Sequence, residues 1–287
     1  MTESSLRPLR SALYVPGSNA RAMEKARGLS VDALILDLED AVAPGEKAAA
    51  RDAVGAALGA GGFGPRLRIV RVNGLDTDWG ADDLSVLGGA DCDAVLVPKV
   101  DGPGAVDDVA ARLPGDRAVW AMMETARGIL NAAAIADHPR VGGLVMGTND
   151  LAKELGCATP PDRLPMAAAL QACVLAARAA SVPVLDGVFN AFRDEAGLWG
   201  ECVQGRDWGF DGKTLIHPAQ AAIANEAFAP DADAVDLARR QIAAHEAALA
   251  EGQGVAVLDG RIVENLHVET ARRTLAKADA IRDLEGG

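Results

Sequence analysis

The sequence predicts an α/β protein, a (β/α)₈ TIM barrel followed by a C-terminal hairpin-plus-helix extension. Short apolar runs alternate eight times with longer, Ala-rich stretches of helical character. The apolar runs do not alternate with polar residues, which is typical of strands buried on both faces of a parallel sheet. A chain of 287 residues also has the length of such a barrel.

The strands are predicted at the apolar runs, in chain order Ala12–Val15, Ala33–Leu38, Leu67–Val72, Ala94–Pro98, Ala118–Met123, Gly143–Gly147, Val182–Val188 and Gly209–Ile216. Helices are predicted between them, at Asn19–Leu29, Gly45–Leu58, Asp82–Gly88, Pro103–Leu113, Ala126–Ala136, Pro165–Ala180, Glu195–Arg206 and Pro218–Phe228. A doubly wound open sheet is the alternative. It would need a glycine-rich phosphate loop after the first strand, and Val15–Asn19 is too short for G-x-G-x-x-G.

The chain continues beyond the eighth unit. Asp231–Glu251 is acidic and helical in pattern, and Gln253–Val263 is typical of a hairpin with Asp259-Gly260 as its turn. A last helix is predicted at Leu266–Leu284.

Two domains are therefore predicted. Residues 1–230 form the catalytic barrel, and residues 231–287 form a helical and hairpin lid. Because a strand pair cannot bury its apolar surface alone, the lid is expected to pack on the barrel or on a neighbouring subunit. The second arrangement requires a homo-oligomer.

The composition argues against several classes of protein. The chain carries 41 Asp and Glu against 28 Lys and Arg, a net charge of −13, so it lacks the basic surface that nucleic acid requires. The same acidity argues against adhesion to a membrane. No apolar run approaches the ~20 residues of a membrane span, and the polar N-terminus has no signal-peptide core.

The spacing of the cysteines and histidines indicates neither disulfides nor zinc. The four cysteines are scattered without C-x-x-C spacing, so reduced thiols in a cytoplasmic protein are expected. The four histidines form neither H-x-x-x-H nor H-E-x-x-H, and no histidine zinc site is expected.

Barrel enzymes carry their chemistry at the C-terminal ends of the strands. Strand two ends in Asp37, Glu39 and Asp40, an acidic group suited to placing a water molecule or a metal ion. Arg71 ends strand three, where a guanidinium suits a carboxylate, phosphate or enolate oxygen, with a structural ion pair as the alternative. Lys99 follows strand four, where it either neutralises the strand-two carboxylates or contacts substrate.

Two further carboxylates follow adjacent strands. Glu124 comes after strand five and Asp150 after strand six, with Gly147 leaving room between them. Two carboxylates with space for water match the ligands of Mg²⁺. The alternative is that both are acids at helix N-termini. His217, after strand eight, is either a helix-entry residue or a hydrogen-bond donor at the barrel mouth.

Several motifs, in their order along the chain, resemble those of one family. They are SALYVPG at Ser11–Gly17, DLEDAV at Asp37–Val42, RVN at Arg71–Asn73, VPKV at Val97–Val100, Glu124-Thr125, GTND at Gly147–Asp150 and GFDGKTLIHP at Gly209–Pro218. Together they resemble the citrate lyase β-subunit-like (HpcH/HpaI aldolase/citrate lyase) family of CoA-ester lyases, which includes malyl-CoA and citramalyl-CoA lyases. The resemblance extends from about Arg10 to Leu284.

The resemblance implies a barrel whose C-terminal lid serves a neighbouring subunit. It implies that Glu124 and Asp150 bind Mg²⁺, with Mn²⁺ possible, and that Arg71 binds substrate. Tyr14 and Lys25 stand where related lyases have an aromatic residue and a lysine that contact CoA or substrate.

The same motifs supply further candidates. Asn149 and His217 are candidate substrate-binding residues, and Glu39 and Asp40 are candidate catalytic residues. Asn19 stands where some of the lyases carry an arginine, which is a departure in the contact with CoA.

The hairpin contains a second departure. Lyases of the family carry a catalytic aspartate in a G-K-M-I-D-like string, whereas this chain has GRIVE at Gly260–Glu264. Glu264 is one methylene longer and is a candidate general base for water. The alternative is a surface glutamate that begins the last helix.

Within the family, five stretches are most similar to (3S)-malyl-CoA thioesterases: RIVRVNGLDTDWG, WAMMETARG, MGTNDLAKELG, NAFRDE and GQGVAVLDGRIVENLHV. The resemblance and Glu264 predict a Mg²⁺-dependent hydrolysis of (3S)-malyl-CoA to malate and CoA. One alternative is retro-Claisen cleavage to acetyl-CoA plus glyoxylate or pyruvate. Another is a citrate lyase β-type subunit that needs an acyl-carrier partner.

Overall fold

Eight parallel strands close into a barrel in chain order, with β1 hydrogen-bonded to β8, in the computed structural model, which describes residues 7–286. The predicted TIM barrel is confirmed, and the open doubly wound sheet is wrong. The strands are β1 (Ser11–Pro16), β2 (Ala33–Asp37), β3 (Leu67–Arg71), β4 (Ala94–Val97), β5 (Ala118–Met123), β6 (Val141–Met146), β7 (Val184–Asp186) and β8 (Gly212–Leu215).

The strands are buried on both faces, as their apolar sequences predict. In β2, Leu34 and Leu36 pack in the large apolar cluster that the helices share, whereas Ile35 belongs to the smaller cluster inside the barrel. That inner cluster contains one large ring, Trp120. A Cβ on Gly143 would overlap this ring, so the glycine in β6 is required by packing.

The helices around the barrel are α1 (Ala20–Ala26), α2 (Lys47–Ala60), α3 (Gly80–Leu87), α4 (Pro103–Ala110), α5 (Ala126–Leu130), α6 (Ala132–Ala136), α7 (Thr148–Leu155), α8 (Ala167–Ala180), α9 (Glu195–Trp208) and α10 (Ala221–Phe228). The predicted helix Ala126–Ala136 is two short helices. Asn131 leaves helical geometry between them, and its side chain donates to the Asp101 carbonyl at 2.6 Å. Helix α7 lies outside the predicted helices, because only Gly147 separates it from β6.

Two ion pairs, one buried and one half-buried, hold the N-terminal ends of the first strands together. Arg10, just before β1, donates from Nε and Nη2 to Asp32 at 2.9 and 2.8 Å. Arg68 in β3 lies 3.0 Å from Asp93, just before β4. Both pairs lie at the end of the barrel opposite the polar residues singled out above.

Residues 7–286 divide into two compact units, one at Leu9–Phe228 and one formed by residues 7–8 and 229–286. The second unit contains α11 (Ala232–Ala250), β9 (Ala256–Leu258), β10 (Arg261–Val263) and α12 (Asn265–Gly286). The hairpin β9–β10 is antiparallel, and Asp259 and Gly260 in its turn have φ of 50° and 76°, as a tight hairpin turn requires.

The predicted domains include residues 1–6 and residue 287, which lie outside the residues that the structure describes. Among the helices of residues 7–286, none is long and apolar enough to cross a membrane.

Candidate active site

An ion pair between two adjacent strands lies at the centre of the barrel mouth. Asp37 ends β2 and Arg71 ends β3, and the two residues are partners in the strand register. Arg71 donates from Nε and Nη2 to the two oxygens of Asp37 at 2.7 and 2.6 Å. Burial lowers the pKa of Arg71, but the bonds to Asp37 outweigh this and raise it, so the guanidinium is charged. The ion-pair alternative for Arg71 is therefore present in the structure.

The third nitrogen of Arg71 faces the loop that follows β2. Nη1 lies 2.8 Å from Glu39 Oε2 and 3.6 Å from Asp40 Oδ2. Glu39 Oε2 makes no hydrogen bond within residues 7–286, so its contact with Nη1 is ionic and poorly aligned. Burial raises the pKa of Glu39, whereas Asp40 is exposed. Asp37 therefore bonds Nε and Nη2 of Arg71 but not Nη1.

Tyr14 covers the guanidinium from β1. The guanidinium carbon of Arg71 lies 4.8 Å from the centre of the Tyr14 ring, within cation–π range. The Tyr14 hydroxyl is buried and has no hydrogen-bond partner in the described part of the chain. Burial raises the pKa of Tyr14, so the phenol keeps its proton.

Glu124 follows β5 and is almost fully buried. Its Oε1 accepts a hydrogen bond from the backbone N–H of Lys99 at 2.8 Å. Burial raises the pKa of Glu124 to about 7, the Lys99 bond opposes the shift, and the charges of Glu39 and Asp150 add to it. A second positive charge at the mouth would relieve this crowding of carboxylates.

Asp150 lies in the first turn of α7 and is half-buried. A Cβ on Gly147 would overlap Glu124 Oε2, so the absence of a side chain at position 147 leaves room for that oxygen. Across residues 7–286, no group of three or more His, Cys, Asp or Glu side chains is arranged to hold a metal. The Glu124–Asp150 pair still fits Mg²⁺, which commonly takes one or two carboxylates and keeps its other ligands as water.

Three other candidates are exposed. Asn149 pairs through its amide with Asn190, with N···O distances of 2.8 and 3.3 Å. His217 accepts a hydrogen bond from the Ala219 N–H on Nδ1, which is the helix-entry role that the sequence left open. Lys25 lies in the last turn of α1.

Glu264 belongs to the second compact unit and directly precedes α12. It is exposed, and its N–H donates to His267 Nδ1 at 3.0 Å. This local structure matches the alternative of a glutamate that begins the last helix.

Lys213 in β8 is fully buried in an ion-pair cluster. Its Nζ lies 2.6 Å from Glu201 Oε1 and 3.3 Å from Asp186 Oδ2. Burial lowers the pKa of Lys213, but the two carboxylates raise it overall. A lysine that forms an imine with substrate needs a lowered pKa, so Lys213 is a structural cation rather than a nucleophile.

The sequence singled out Asp37 only as one of three carboxylates after strand two, and it did not single out Lys47. Asp37 binds Arg71 and also accepts from the N–H of Glu39 and Ala41 at 2.9 and 3.2 Å. Lys47 on α2 is buried beneath the Glu39 loop. A usable signal was present, because Lys47 and Arg51 occupy the buried stripe of α2 that otherwise carries apolar residues.

Two cavities adjoin these residues. One of about 620 Å³ opens beside Glu39 and Asp40 and is strongly acidic, since Lys47 and Lys99 are its only basic residues in the described chain. The other, about 290 Å³, lies at the ends of β6 and β7 beside Asn149.

Comparison with known proteins gives a consistent result. The profile of the family described as HpcH/HpaI aldolase/citrate lyase matches residues 10–218. The chain is 61% identical to a (3S)-malyl-CoA thioesterase of Cereibacter sphaeroides over 96% of each chain. It is 35% identical to citrate lyase subunit beta of Escherichia coli, covering 97% of this chain and 96% of the relative.

A solved structure is also similar. The CitE protein of Mycobacterium tuberculosis, in complex with magnesium, acetoacetate and coenzyme A, superposes with a TM-score of 0.81 at 31% identity. The match covers 94% of this chain and 97% of CitE.

Proposed function

Because the chain belongs to the HpcH/HpaI aldolase/citrate lyase family, we propose that it hydrolyses (3S)-malyl-CoA to malate and CoA. It is an enzyme that acts on CoA esters, in common with the (3S)-malyl-CoA thioesterase that it resembles. The observation that carries the choice of hydrolysis is the 61% identity to a (3S)-malyl-CoA thioesterase over nearly the whole chain. The barrel mouth supports it, because a charged donor and several carboxylates meet there.

Glu124 and Asp150 are proposed to hold Mg²⁺, with Mn²⁺ as a second possibility. When bound, the metal would supply positive charge that orients the oxygens of the substrate and stabilises negative charge. The magnesium and coenzyme A named for CitE support this assignment. The crowding that raises the pKa of Glu124 also supports it, since a divalent cation would stabilise the ionised carboxylate.

Arg71 is proposed to stabilise the oxyanion that forms when water attacks the thioester carbon. Asp37 fixes two nitrogens of the guanidinium, which leaves Nη1 preorganised at the mouth. Such a fixed donor stabilises developing charge without reorganisation during the reaction. Tyr14 contributes the packing that holds the guanidinium plane.

The attacking water is proposed to be placed by Glu39 and Asp40, the carboxylates beside Nη1. As the water oxygen bonds to the thioester carbon, its proton passes to a carboxylate. The C–S bond then breaks, and the protonated carboxyl group returns that proton to the CoA sulfur as it leaves. Glu264 is the second candidate for the base, supplied by the C-terminal unit.

The remaining assignments concern binding and assembly. Lys25, Asn149 and His217 are proposed to contact the substrate, with Lys25 facing the phosphates of CoA. Residues 231–287 are proposed to form a lid over a neighbouring subunit's site in a cytoplasmic trimer or hexamer. The acidic cavity beside Glu39 is unsuited to the CoA phosphates, which supports an approach of CoA from the β1–α1 side.

The test is an incubation of the pure enzyme with (3S)-malyl-CoA and Mg²⁺, followed by identification of the products. Malate and free CoA are expected. Acetyl-CoA with glyoxylate would instead establish the lyase alternative, which the relation to citrate lyase subunit beta favours. A chain inert on free CoA esters but active with an acyl-carrier partner would match the citrate lyase β-type subunit.

A further inference from the structure

Lys47 is a buried lysine that none of the assignments above uses. It lies at the start of α2, and its Nζ donates to the carbonyls of Leu38 and Glu39 at 2.9 and 2.7 Å. A third bond goes to Asn73 Oδ1 at 2.8 Å. All three donors of the ammonium are therefore committed to the loops that follow β2 and β3.

Asn73 extends this contact to the next element. Its Nδ2 donates to the Leu38 carbonyl at 2.9 Å and to Asp83 Oδ2 at 2.6 Å. Asp83 in turn binds Arg51 at 2.8 Å. The loops that carry Glu39 and follow Arg71 are thus tied to α2 and α3 through one buried network.

Satisfying the backbone does not explain the lysine. The Leu38 carbonyl also accepts from Asn73, and the Glu39 carbonyl also accepts from the Val42 N–H at 3.0 Å. Both acceptors would keep a partner without Lys47. A buried ammonium is costly, so what it adds is its charge and a fixed anchoring point.

The positive charge of Lys47 lies close to the loop after β2 that carries Glu39 and Asp40. Burial lowers the pKa of Lys47, and the nearby charges of Asp37, Glu39 and Asp40 oppose that shift. Arg71 is the cation that lies in ion-pair contact with these three carboxylates. Lys47 adds a further positive charge, and it bonds to carbonyls of this loop whereas Arg71 contacts its carboxylates.

We propose that Lys47 is a positioning residue that holds the Leu38-Glu39 backbone so that the Glu39 carboxylate stays beside Arg71 Nη1. The proposal rests on the proposed function, in which Glu39 places the attacking water. Lys47 acts through Glu39 and touches no substrate.

The test is a double-mutant cycle on turnover of malyl-CoA. Lys47→Met should lower kcat by about 30-fold and leave KM within about twofold, because misplacement of a reacting group by about 1 Å costs on that order. In a Glu39→Gln background the same change should cost less than about threefold, since the interaction is already lost. Lys47→Gln provides a milder variant should the apolar one fold poorly.

Arg10→Met is the matched control. It also breaks a buried ion pair, Arg10–Asp32, but at the opposite end of the barrel. Arg10→Met should change stability and kcat by the same amounts in the wild-type background and in the Glu39→Gln background. An equal loss from Lys47→Met in both backgrounds, or a wild-type kcat for Lys47→Met and Lys47→Gln, would overturn the proposal.

Amide hydrogen exchange separates this proposal from the proposed function. Lys47→Met should speed exchange of the amides at 38–42, and Arg10→Met should not. If the wild type fails to turn over malyl-CoA, the proposed function fails while the exchange result still tests Lys47. Unchanged exchange at 38–42 in Lys47→Met would refute the anchoring.

Discussion

Arg71 is a buried cation whose structural ion pair also suits the role in the chemistry that we propose for it. A lone guanidinium in the barrel mouth would be costly, and Asp37 offsets that cost through two parallel bonds. The same pairing fixes the plane of the guanidinium, so Nη1 is held in place rather than free to rotate. The ion-pair and substrate-binding alternatives for Arg71 therefore do not compete.

The geometry predicts that Arg71→Lys lowers kcat by about 100-fold, because lysine cannot bind Asp37 through two nitrogens and still present a third donor. Release of CoA, followed with a thiol reagent, measures this. Arg68→Lys is the control, since Arg68 lies in the same strand but pairs with Asp93 at the opposite end. Equal losses in the two variants would mean that Arg71 matters only for stability.

Glu124 predicts a pH effect on the metal-free protein. Its pKa in the folded state is about 7, above the ordinary value of 4.5, so between these values the folded state holds a proton that the unfolded state has lost. The free energy of unfolding should therefore fall as pH rises through this window, by about 3 kcal/mol in total. Glu124→Gln should remove this dependence, as measured by urea unfolding in EDTA from pH 5 to 8.

Metal binding should show the opposite trend with pH. Mg²⁺ competes with the Glu124 proton, so its affinity should weaken as pH falls below about 7, and calorimetric titration at pH 6 and 8 measures this. At pH 8, Mg²⁺ should raise the Tm of the wild type more than that of Glu124→Gln. Equal shifts in both proteins would contradict the assignment of Glu124 as a ligand.

The junction of β6 and α7 is the element on which the proposed metal site depends. Only Gly147 separates the strand from the helix that carries Asp150, and a Cβ there would overlap the Glu124 carboxylate. Gly147→Ala should therefore weaken Mg²⁺ binding at least tenfold, about 1.4 kcal/mol, while the barrel stays folded. Calorimetry and circular dichroism measure the two effects.

Gly59→Ala is the control for that substitution. Gly59 lies in α2, where an added Cβ would meet no atom within 4 Å, so alanine there should leave binding unchanged and stabilise the helix by up to about 1 kcal/mol. Full Mg²⁺ affinity in Gly147→Ala would show that the glycine is not needed for the carboxylate.

Some elements were predictable from the sequence for a simple physical reason. Strands buried on both faces are mostly apolar, which is why the runs ALIL in β2 and AVLV in β4 are recognisable. The break in the helix at Asn131 was not, because it depends on a bond to the Asp101 carbonyl of another loop. Local periodicity carries no information on such a partner.

The candidate site divides in the same way. Glu124 and Arg71 could be singled out because each follows an apolar strand, where a charged residue needs a reason. The pairing of Arg71 with Asp37 depends on strand register, and that of Lys47 with the Glu39 carbonyl depends on how α2 packs. Both pairings are set by tertiary structure. Sequence spacing could therefore identify some of the residues but could not predict which of them contact each other.

At the scale of the whole molecule, Glu264 can belong to the site of its own chain or to that of a neighbouring subunit. Glu264 lies at the start of α12 in a unit separate from the barrel, beside an exposed hairpin face formed by Val257 and Ile262. An apolar face of this kind suits contact with another chain. If the unit covers a neighbouring subunit, then Arg71 and Glu264 of one site come from different chains.

Mixing an Arg71 variant with a Glu264 variant tests this arrangement. Co-expression of Arg71→Ala and Glu264→Gln in equal amounts should restore roughly one quarter of wild-type turnover, because in a closed ring random assembly gives that share of sites an intact barrel and an intact neighbouring lid. The co-purified oligomer is assayed for CoA release beside each parent. Turnover no higher than that of the parents would mean that Glu264 serves its own chain, and full activity of Glu264→Gln alone would remove it from the site.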